Sequence, residues 1–193
     1  WLQFYMEQES YSMHPVFARF ICGKCKPGIQ KHMGLIEACQ KSFSASVNGL
    51  TLGCRYYIEY AESIYAKMDM GMELRAYFVC ALASMLEHVA EYKRAEELFW
   101  KGSQICEKVF GWNHQNTAAV YNNLAYVYFK QGKYEKAEEL YQRSLQINKR
   151  AFGEDHIDVA TNYDNLANVY SERGEYEKAE VLYKSGLKIR EKV

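Results

Sequence analysis

Two cysteines and two histidines close to the N-terminus belong to the residue types that bind metal. Cys22 and Cys25 enclose a Gly-Lys dipeptide, and His14 and His32 lie on either side of them. Thiolate and imidazole groups are preferred zinc ligands, and a Cys-x-x-Cys pair can supply two corners of a tetrahedral site. Because the spacing matches no standard zinc finger, structural thiols are the favoured interpretation. A zinc-bearing helical module at residues 14–32 is the alternative.

No pattern of the sequence indicates catalysis. It contains no Gly-x-Ser-x-Gly turn, no glycine-rich phosphate loop and no His-Glu-x-x-His pair, which are recognition patterns of hydrolases, nucleotide-binding proteins and zinc proteases. A thiol redox role for Cys22 and Cys25 needs a strand–helix–strand setting that the sequence does not indicate. We therefore expect no catalytic residue and no cofactor other than the zinc alternative.

The composition favours a helical chain with protein partners. Among 193 residues, 24 basic side chains balance 24 acidic ones, so no net charge draws the chain to nucleic acid or to a membrane surface. The sequence has only two prolines, which favours helices. No apolar run reaches the roughly 18 residues of a membrane span. Its six cysteines are scattered, as expected for reduced, buried thiols, and we expect a cytoplasmic location.

An internal repeat determines the elements that must position any functional residue. QGKYEKAE at 131–138 recurs as RGEYEKAE at 173–180, and 174 minus 132 gives an offset of 42. NLA at 123–125 recurs at 165–167, and the Phe-Gly pair at 110–111 recurs at 152–153. A fixed period of this length is typical of solenoids, whose stacked repeats expose long binding surfaces.

Each repeat is predicted to contain two antiparallel helices. Apolar and small residues recur at helical spacing in two stretches, so each helix has one buried stripe. The first stripe comprises Tyr121, Leu124, Ala125 and Tyr128. The second comprises Tyr134, Ala137, Tyr141, Ser144 and Leu145. Gly132 lies between them and can take the left-handed conformation that ends a helix and lets the chain reverse.

A degraded copy precedes these two repeats. Leu82-Ala83 aligns with Leu124-Ala125, but Ala90 occupies the position of the turn glycine. Either this turn is rebuilt, or the alanine bears a strain of roughly 1–2 kcal/mol in the left-handed region. The three repeats are expected at about 72–110, 111–152 and 153–193. His114 and His156, which are also 42 residues apart, are predicted to cap or pack rather than to catalyse.

These motifs resemble the tetratricopeptide repeat, a helix–turn–helix unit. The resemblance is carried by Leu-Ala-x-x-Tyr and by Gly-x-Tyr-x-x-Ala-x-x-x-Tyr. The segments NNLAYVY, QGKYEKAE and AFGEDH are similar to the 42-residue repeats of the kinesin light chain class. The resemblance covers about residues 72–193 and implies an all-α, right-handed solenoid of antiparallel helix pairs. Repeats of this type also occur at the C-terminal end of many signalling ATPases.

The resemblance also implies a peptide-binding groove, which the first helix of each repeat lines. In kinesin-light-chain-like repeats the asparagine before Leu-Ala commonly contacts the peptide backbone, and this role carries over to Asn122, Asn123 and Asn165. The alternative is that these amides bond to neighbouring helices. The implied groove residues are Asn122, Asn123, Tyr126, Phe129, Lys130, Thr161, Asp164, Asn165 and Asn168. With one cation in this set, a receptor for acidic chain ends is disfavoured.

Several functions remain open at this point. The favoured one is a scaffold or adaptor that binds a partner peptide or helix in the groove. The alternative is an intramolecular sensor or oligomerisation segment of a larger signalling ATPase or enzyme. Residues 1–71 are expected to form a helical segment, either divergent repeats or a cap. The chain starts at Trp1 and stops at Val193 without a polar cap, so we expect a piece of a longer protein or self-association through the last repeat.

Overall fold

The computed structural model describes residues 71–192 as six helices, with no strand in that range. The helices are α1 (Met72–His88), α2 (Tyr92–Phe110), α3 (Gln115–Lys130), α4 (Tyr134–Phe152), α5 (Ile157–Glu172) and α6 (Tyr176–Arg190). The four zinc candidates, Cys22, Cys25, His14 and His32, lie outside the described residues. The same holds for the N-terminal helical segment predicted for residues 1–71, except its last residue.

The six helices form three consecutive pairs. Within the pairs, α1 packs on α2, α3 on α4 and α5 on α6, while α2 packs on α3 and α4 on α5 between pairs. The first helices also touch one another, α1 with α3 and α3 with α5. In a curved stack of helix pairs the helices on the inner side approach most closely, so α1, α3 and α5 line that side. The predicted all-α solenoid is confirmed.

Small residues allow the paired helices to approach, as the repeat pattern predicts. Ala125 of α3 and Ala137 of α4 are fully buried, and Tyr141 fills the space beside them with 1% of its surface exposed. Leu166 and Val169 of α5 complete the same cluster. Burying one large apolar side chain stabilises the fold by roughly 1.5–3 kcal/mol, so this cluster joins the second and third repeats firmly.

The turn between the two helices of each repeat uses a left-handed residue. Gly132 has φ 73° and Gly174 has φ 77°, while the non-glycine residue Ala90 has φ 60°. The N–H of Lys133 donates to the carbonyl of Tyr128 at 2.9 Å, and Glu91 donates to Leu86 at the same distance. The first repeat therefore ends its first helix in the same way as the other two, with Ala90 in the left-handed position of the glycine. Of the two alternatives that the sequence left open, the turn is not rebuilt and the alanine bears the strain.

The loops between repeats use histidine as the helix cap. Nδ1 of His114 accepts the N–H of Asn116 at 3.1 Å, and Nδ1 of His156 accepts that of Asp158 at 3.2 Å. A side-chain acceptor at this position satisfies one of the free N–H groups at the start of a helix. The predicted capping and packing role of both histidines is confirmed.

Candidate functional site

The first helices α3 and α5, with the C-terminal part of α4, enclose a cavity of about 290 Å³. Three of the nine groove residues implied by the sequence line this cavity together, namely Asn122, Asn123 and Thr161. Six others that line it were not predicted as site residues. They are Gln115, Ser144, Asn148, Phe152, Asp158 and Asn162. The cavity is therefore rich in side-chain amides, which can both donate and accept hydrogen bonds.

An asparagine network joins the second repeat to the third behind this cavity. Nδ2 of Asn165 donates to Oδ1 of Asn122 at 2.9 Å, and Nδ2 of Asn162 reaches the same oxygen at 3.3 Å. The alternative considered for these residues, bonding between neighbouring helices, thus applies to Asn122 and Asn165. Both residues remain half-buried rather than fully enclosed.

The direction of the network follows from one serine. Oγ of Ser144 donates to the carbonyl of Ala118 at 2.9 Å, so it must accept from Nδ2 of Asn162, which lies at 3.0 Å. Oδ1 of Asn162 is then the acceptor for Nδ2 of Asn148, at 2.7 Å. A buried polar group requires such a partner, and the chain of bonds leaves no choice of amide orientation here.

Two polar atoms at the cavity are left over by this arrangement. Within residues 71–192, no hydrogen bond engages Oδ1 of Asn148 or Nδ2 of Asn122. Asn148 is 8% exposed, and its unbonded oxygen is still reached by solvent from the cavity that the residue lines. One free acceptor and one free donor in the same cavity suit a ligand that offers both, such as a peptide.

A signal for the unpredicted residues is present in the repeat itself. Subtracting 42 from 162 gives 120, where the preceding repeat has Val120, and subtracting 42 from 148 gives Cys106. Asn162 and Asn148 thus stand at positions that are apolar one repeat earlier. Polar residues that interrupt a buried stripe indicate a polar cluster between the second and third repeats.

Three other groove residues lie together at the C-terminal end of α3. Tyr126 and Phe129 are half-buried and pack against the core cluster, and the Phe129 ring lies 5.9 Å from that of Tyr134. Nζ of Lys130 lies 5.2 Å above the centre of the Tyr126 ring. A hydrogen bond to Tyr126 raises the pKa of Lys130 above its usual value.

The last two groove residues face α6 and not the first cavity. Asp164 pairs with Arg190, and Oδ1 of Asn168 accepts a hydrogen bond from the Tyr183 hydroxyl at 2.5 Å. Both line a second, open cavity of about 670 Å³. Partial burial and the nearby Asp164 and Glu172 carboxylates raise the pKa of Tyr183. Nothing here gathers all nine residues into one site.

The described thiols belong to the packing between α1 and α2. The hydrogen bond between Cys80 and Cys106 raises the pKa of Cys80 and lowers that of Cys106. Both cysteines are free, and Cys106 is buried, as predicted for core thiols. Gly102 lies against Cys80 so closely that an added Cβ would stand 2.7 Å from Sγ.

Residues 71–192 contain no group of three or more His, Cys, Asp or Glu side chains that could hold a metal ion. None of their helices is long and apolar enough to cross a bilayer.

The repeat motifs and the paired helices define a family. The sequence profile described as "Tetratricopeptide repeat" matches residues 74–150 and again residues 116–192. Together these matches extend over more than half of the chain, so the chain belongs to the tetratricopeptide repeat family. Repeats of this family are typically non-catalytic, and membership supports a general role as a scaffold for protein–protein interaction.

Solved structures of similar fold include kinesin-light-chain-like proteins, as the motifs predicted. BtubC (BKLC) from P. vanneervenii is 22% identical over 76% of this chain and 63% of its own, with a TM-score of 0.65. A putative kinesin light chain from Podosopora anserina is 18% identical over 91% of this chain and 82% of its own, with a TM-score of 0.66.

The apo form of RapI is 20% identical over 72% of this chain and 50% of its own, with a TM-score of 0.62. This chain therefore spans less than two thirds of the length of BtubC and of RapI. At these identities the likeness concerns the fold alone. A comparison with curated proteins found no match.

Proposed function

We propose that this chain is an adaptor that binds an extended peptide segment of a partner protein on its inner side, between α3 and α5. The observation that carries the proposal is the cavity with one free donor, on Asn122, and one free acceptor, on Asn148. A peptide backbone offers a carbonyl and an N–H at fixed spacing. Amides can therefore hold an extended chain without reading its side chains.

Asn123 extends the same contact surface along α3. It is half-buried and lines the cavity, and its side-chain amide makes no hydrogen bond within residues 71–192. Tyr126 lies three residues further along the same helix and presents a half-buried ring beside Lys130. Aromatic area next to free amides is a common arrangement for anchoring a peptide, since the ring supplies apolar contact and the amides supply orientation.

A backbone-only peptide tests this proposal directly. Acetyl-pentaalanine amide carries no side chain beyond a methyl group, so any binding must use its backbone. We expect it to shift the side-chain amide resonances of Asn122, Asn123 and Asn148 in a titration followed by nuclear magnetic resonance. Asn123→Ala removes an amide that makes no internal bond, and we expect it to weaken binding severalfold while the circular dichroism spectrum stays unchanged.

Asn113→Ala is the matched control, because it removes the same group from an exposed loop outside the cavity. It is expected to bind the peptide like the unmodified chain. If Asn123→Ala also binds with unchanged affinity, or if no cavity resonance shifts, the groove proposal is wrong.

We also propose that a second copy of this chain can pair with the exposed side of α6. Adding 42 to Tyr134, Tyr141 and Leu145 gives Tyr176, Tyr183 and Leu187. Tyr141 is 1% exposed beneath α5, whereas Tyr183 is 40%, Leu187 54% and Tyr176 66% exposed. Side chains that belong to the core or pack against it in one repeat are thus open to solvent in the next, which favours an apolar contact between copies.

The oligomeric state of the chain in solution tests this second proposal. Sedimentation over a wide concentration range is expected to show reversible association, and Leu187→Lys is expected to abolish it. Trp112→Lys changes an exposed apolar side chain in a loop away from this face and is expected to leave association unchanged. A strict monomer at high concentration contradicts the proposal. The sensor role, the cytoplasmic location and zinc at residues 14–32 stay predictions.

A further inference from the structure

The cavity between the second and third repeats has a single charged residue in its lining. Asp158 supplies the carboxylate, and all other described residues around the cavity are neutral. Its side chain is 53% exposed, so the carboxylate is accessible to a ligand. A cavity with one negative charge and no positive charge favours a cationic group over an anionic one.

The nearest histidine does not neutralise this carboxylate. Nδ1 of His156 lies 3.5 Å from Oδ2 of Asp158. That nitrogen, however, accepts the backbone N–H of Asp158 at 3.2 Å, so it carries a lone pair and no proton. The negative charge of Asp158 is consequently available to a partner outside the chain.

The ring of Phe152 adds an aromatic face to the lining of the same cavity. Phe152 stacks on His156 with ring centres 4.3 Å apart and an interplanar angle of 18°. This contact holds the ring in place, and 38% of Phe152 is nevertheless exposed. A fixed aromatic face attracts planar cations, and arginine more often than lysine occupies such positions.

The third element is the oxygen of Asn148. It is an acceptor without a hydrogen bond among residues 71–192, and its residue is more than nine-tenths buried. Solvent still reaches this oxygen, so it can accept a hydrogen bond from an N–H donor of a ligand in the cavity. Guanidinium offers five N–H groups in one plane and can reach a carboxylate and an amide oxygen at once.

We propose that this cavity binds an arginine side chain of the partner peptide. The guanidinium pairs with Asp158, lies against the Phe152 ring and donates to Oδ1 of Asn148. This proposal rests on the peptide-binding function above and adds the side chain that the cavity selects. The free N–H of Asn122 then donates a hydrogen bond to a backbone carbonyl of the same peptide.

Four blocked tripeptides test the selection on the full 193-residue chain. Acetyl-Ala-X-Ala-amide, with arginine, lysine, glutamine or glutamate at X, is titrated and the side-chain resonances of Asn122 and Asn148 are followed. The arginine peptide is expected to bind about fivefold more tightly than the glutamine peptide, as for one partly exposed ion pair. The glutamate peptide is expected to bind most weakly. Lysine that binds as tightly as arginine overturns the arginine assignment.

Asp158→Asn is expected to remove the preference of arginine over glutamine. Glu177→Gln makes the same change of charge at an exposed residue outside the cavity and is expected to preserve the preference. Equal affinities for arginine and glutamine peptides, or an unchanged preference in Asp158→Asn, overturn this inference and leave backbone binding intact. If no tripeptide and no pentaalanine shifts the cavity resonances, the inference and the groove proposal fail together.

Discussion

The rings of Phe152 and His156 stack with their centres 4.3 Å apart, and Phe110 and His114 repeat the contact one repeat earlier at 5.1 Å. In each case the same imidazole caps the following helix through Nδ1. In each case one histidine side chain therefore packs against the last helix of the preceding repeat and caps the first helix of the following repeat.

The double role of His156 predicts a measurable loss of stability. His156→Ala removes both the cap and the ring contact, and we expect the free energy of unfolding to fall by about 1 kcal/mol or somewhat more. His156→Asn keeps a capping acceptor and loses only the ring contact. Its free energy of unfolding is therefore expected to lie between those of the unmodified chain and of His156→Ala. Urea unfolding followed by circular dichroism measures both variants. Equal losses for Ala and Asn would show that the cap contributes nothing.

Ala90 predicts a stabilising substitution. Its φ of 60° costs an L-residue roughly 1–2 kcal/mol, and glycine takes this conformation without that cost. We expect Ala90→Gly to raise the free energy of unfolding by about 1 kcal/mol. The reciprocal change, Gly132→Ala, is expected to lower it by a similar amount, because Gly132 has φ 73°. Thermal unfolding of the two variants tests the pair, and a destabilised Ala90→Gly would refute the argument.

The polar cluster predicts a non-additive pair of substitutions. Asn162→Val, which installs the residue of the preceding repeat, leaves the Asn148 amide without its partner at 2.7 Å. We expect a loss of roughly 1–3 kcal/mol, the cost of an unsatisfied buried group. The double variant Asn162→Val with Asn148→Cys removes both partners and is expected to recover part of the loss. Strict additivity in a double-mutant cycle would contradict the proposed bond.

Tyr121 predicts a dependence of stability on alkaline pH. Burial, with a hydrogen bond from its hydroxyl to Glu107 at 2.9 Å, raises the pKa of Tyr121 from 10.0 to about 12. A raised folded-state pKa means that the neutral hydroxyl stabilises the fold below pH 10, and that this contribution disappears as the pH rises towards about 12.

Tyr121→Phe has no hydroxyl to ionise, so its stability is expected to decline less steeply over the same alkaline range. Urea unfolding at a series of pH values compares the slopes. Tyr134→Phe, a half-buried tyrosine of α4, serves as the control and is expected to retain the slope of the unmodified chain. An unchanged slope in Tyr121→Phe would place the alkaline sensitivity elsewhere.

The repeat made the fold and its turns predictable, whereas the cavity was predicted only in part. Leu124, Ala125, Ala137 and Tyr141 recur at fixed offsets because the same packing problem recurs in every repeat, so their burial follows from the sequence. The cavity depends also on Asn148 and Asp158, which replace Cys106 and Asn116 of the preceding repeat. The offset shows that such residues differ between repeats, but it does not show which side chains they meet in the fold.

The sequence by itself determined the helix pairs, the turn positions and the family, since these depend on local spacing and on the 42-residue period. Whether Ala90 bears a left-handed conformation was decided only by the tertiary structure, because the rest of the repeat can impose a strain that one residue alone would avoid. The direction of the asparagine network was decided there too. It depends on Ser144 and Asn148 of α4 meeting Asn162 of α5, and hydrogen bonds between distant residues have no counterpart in local spacing.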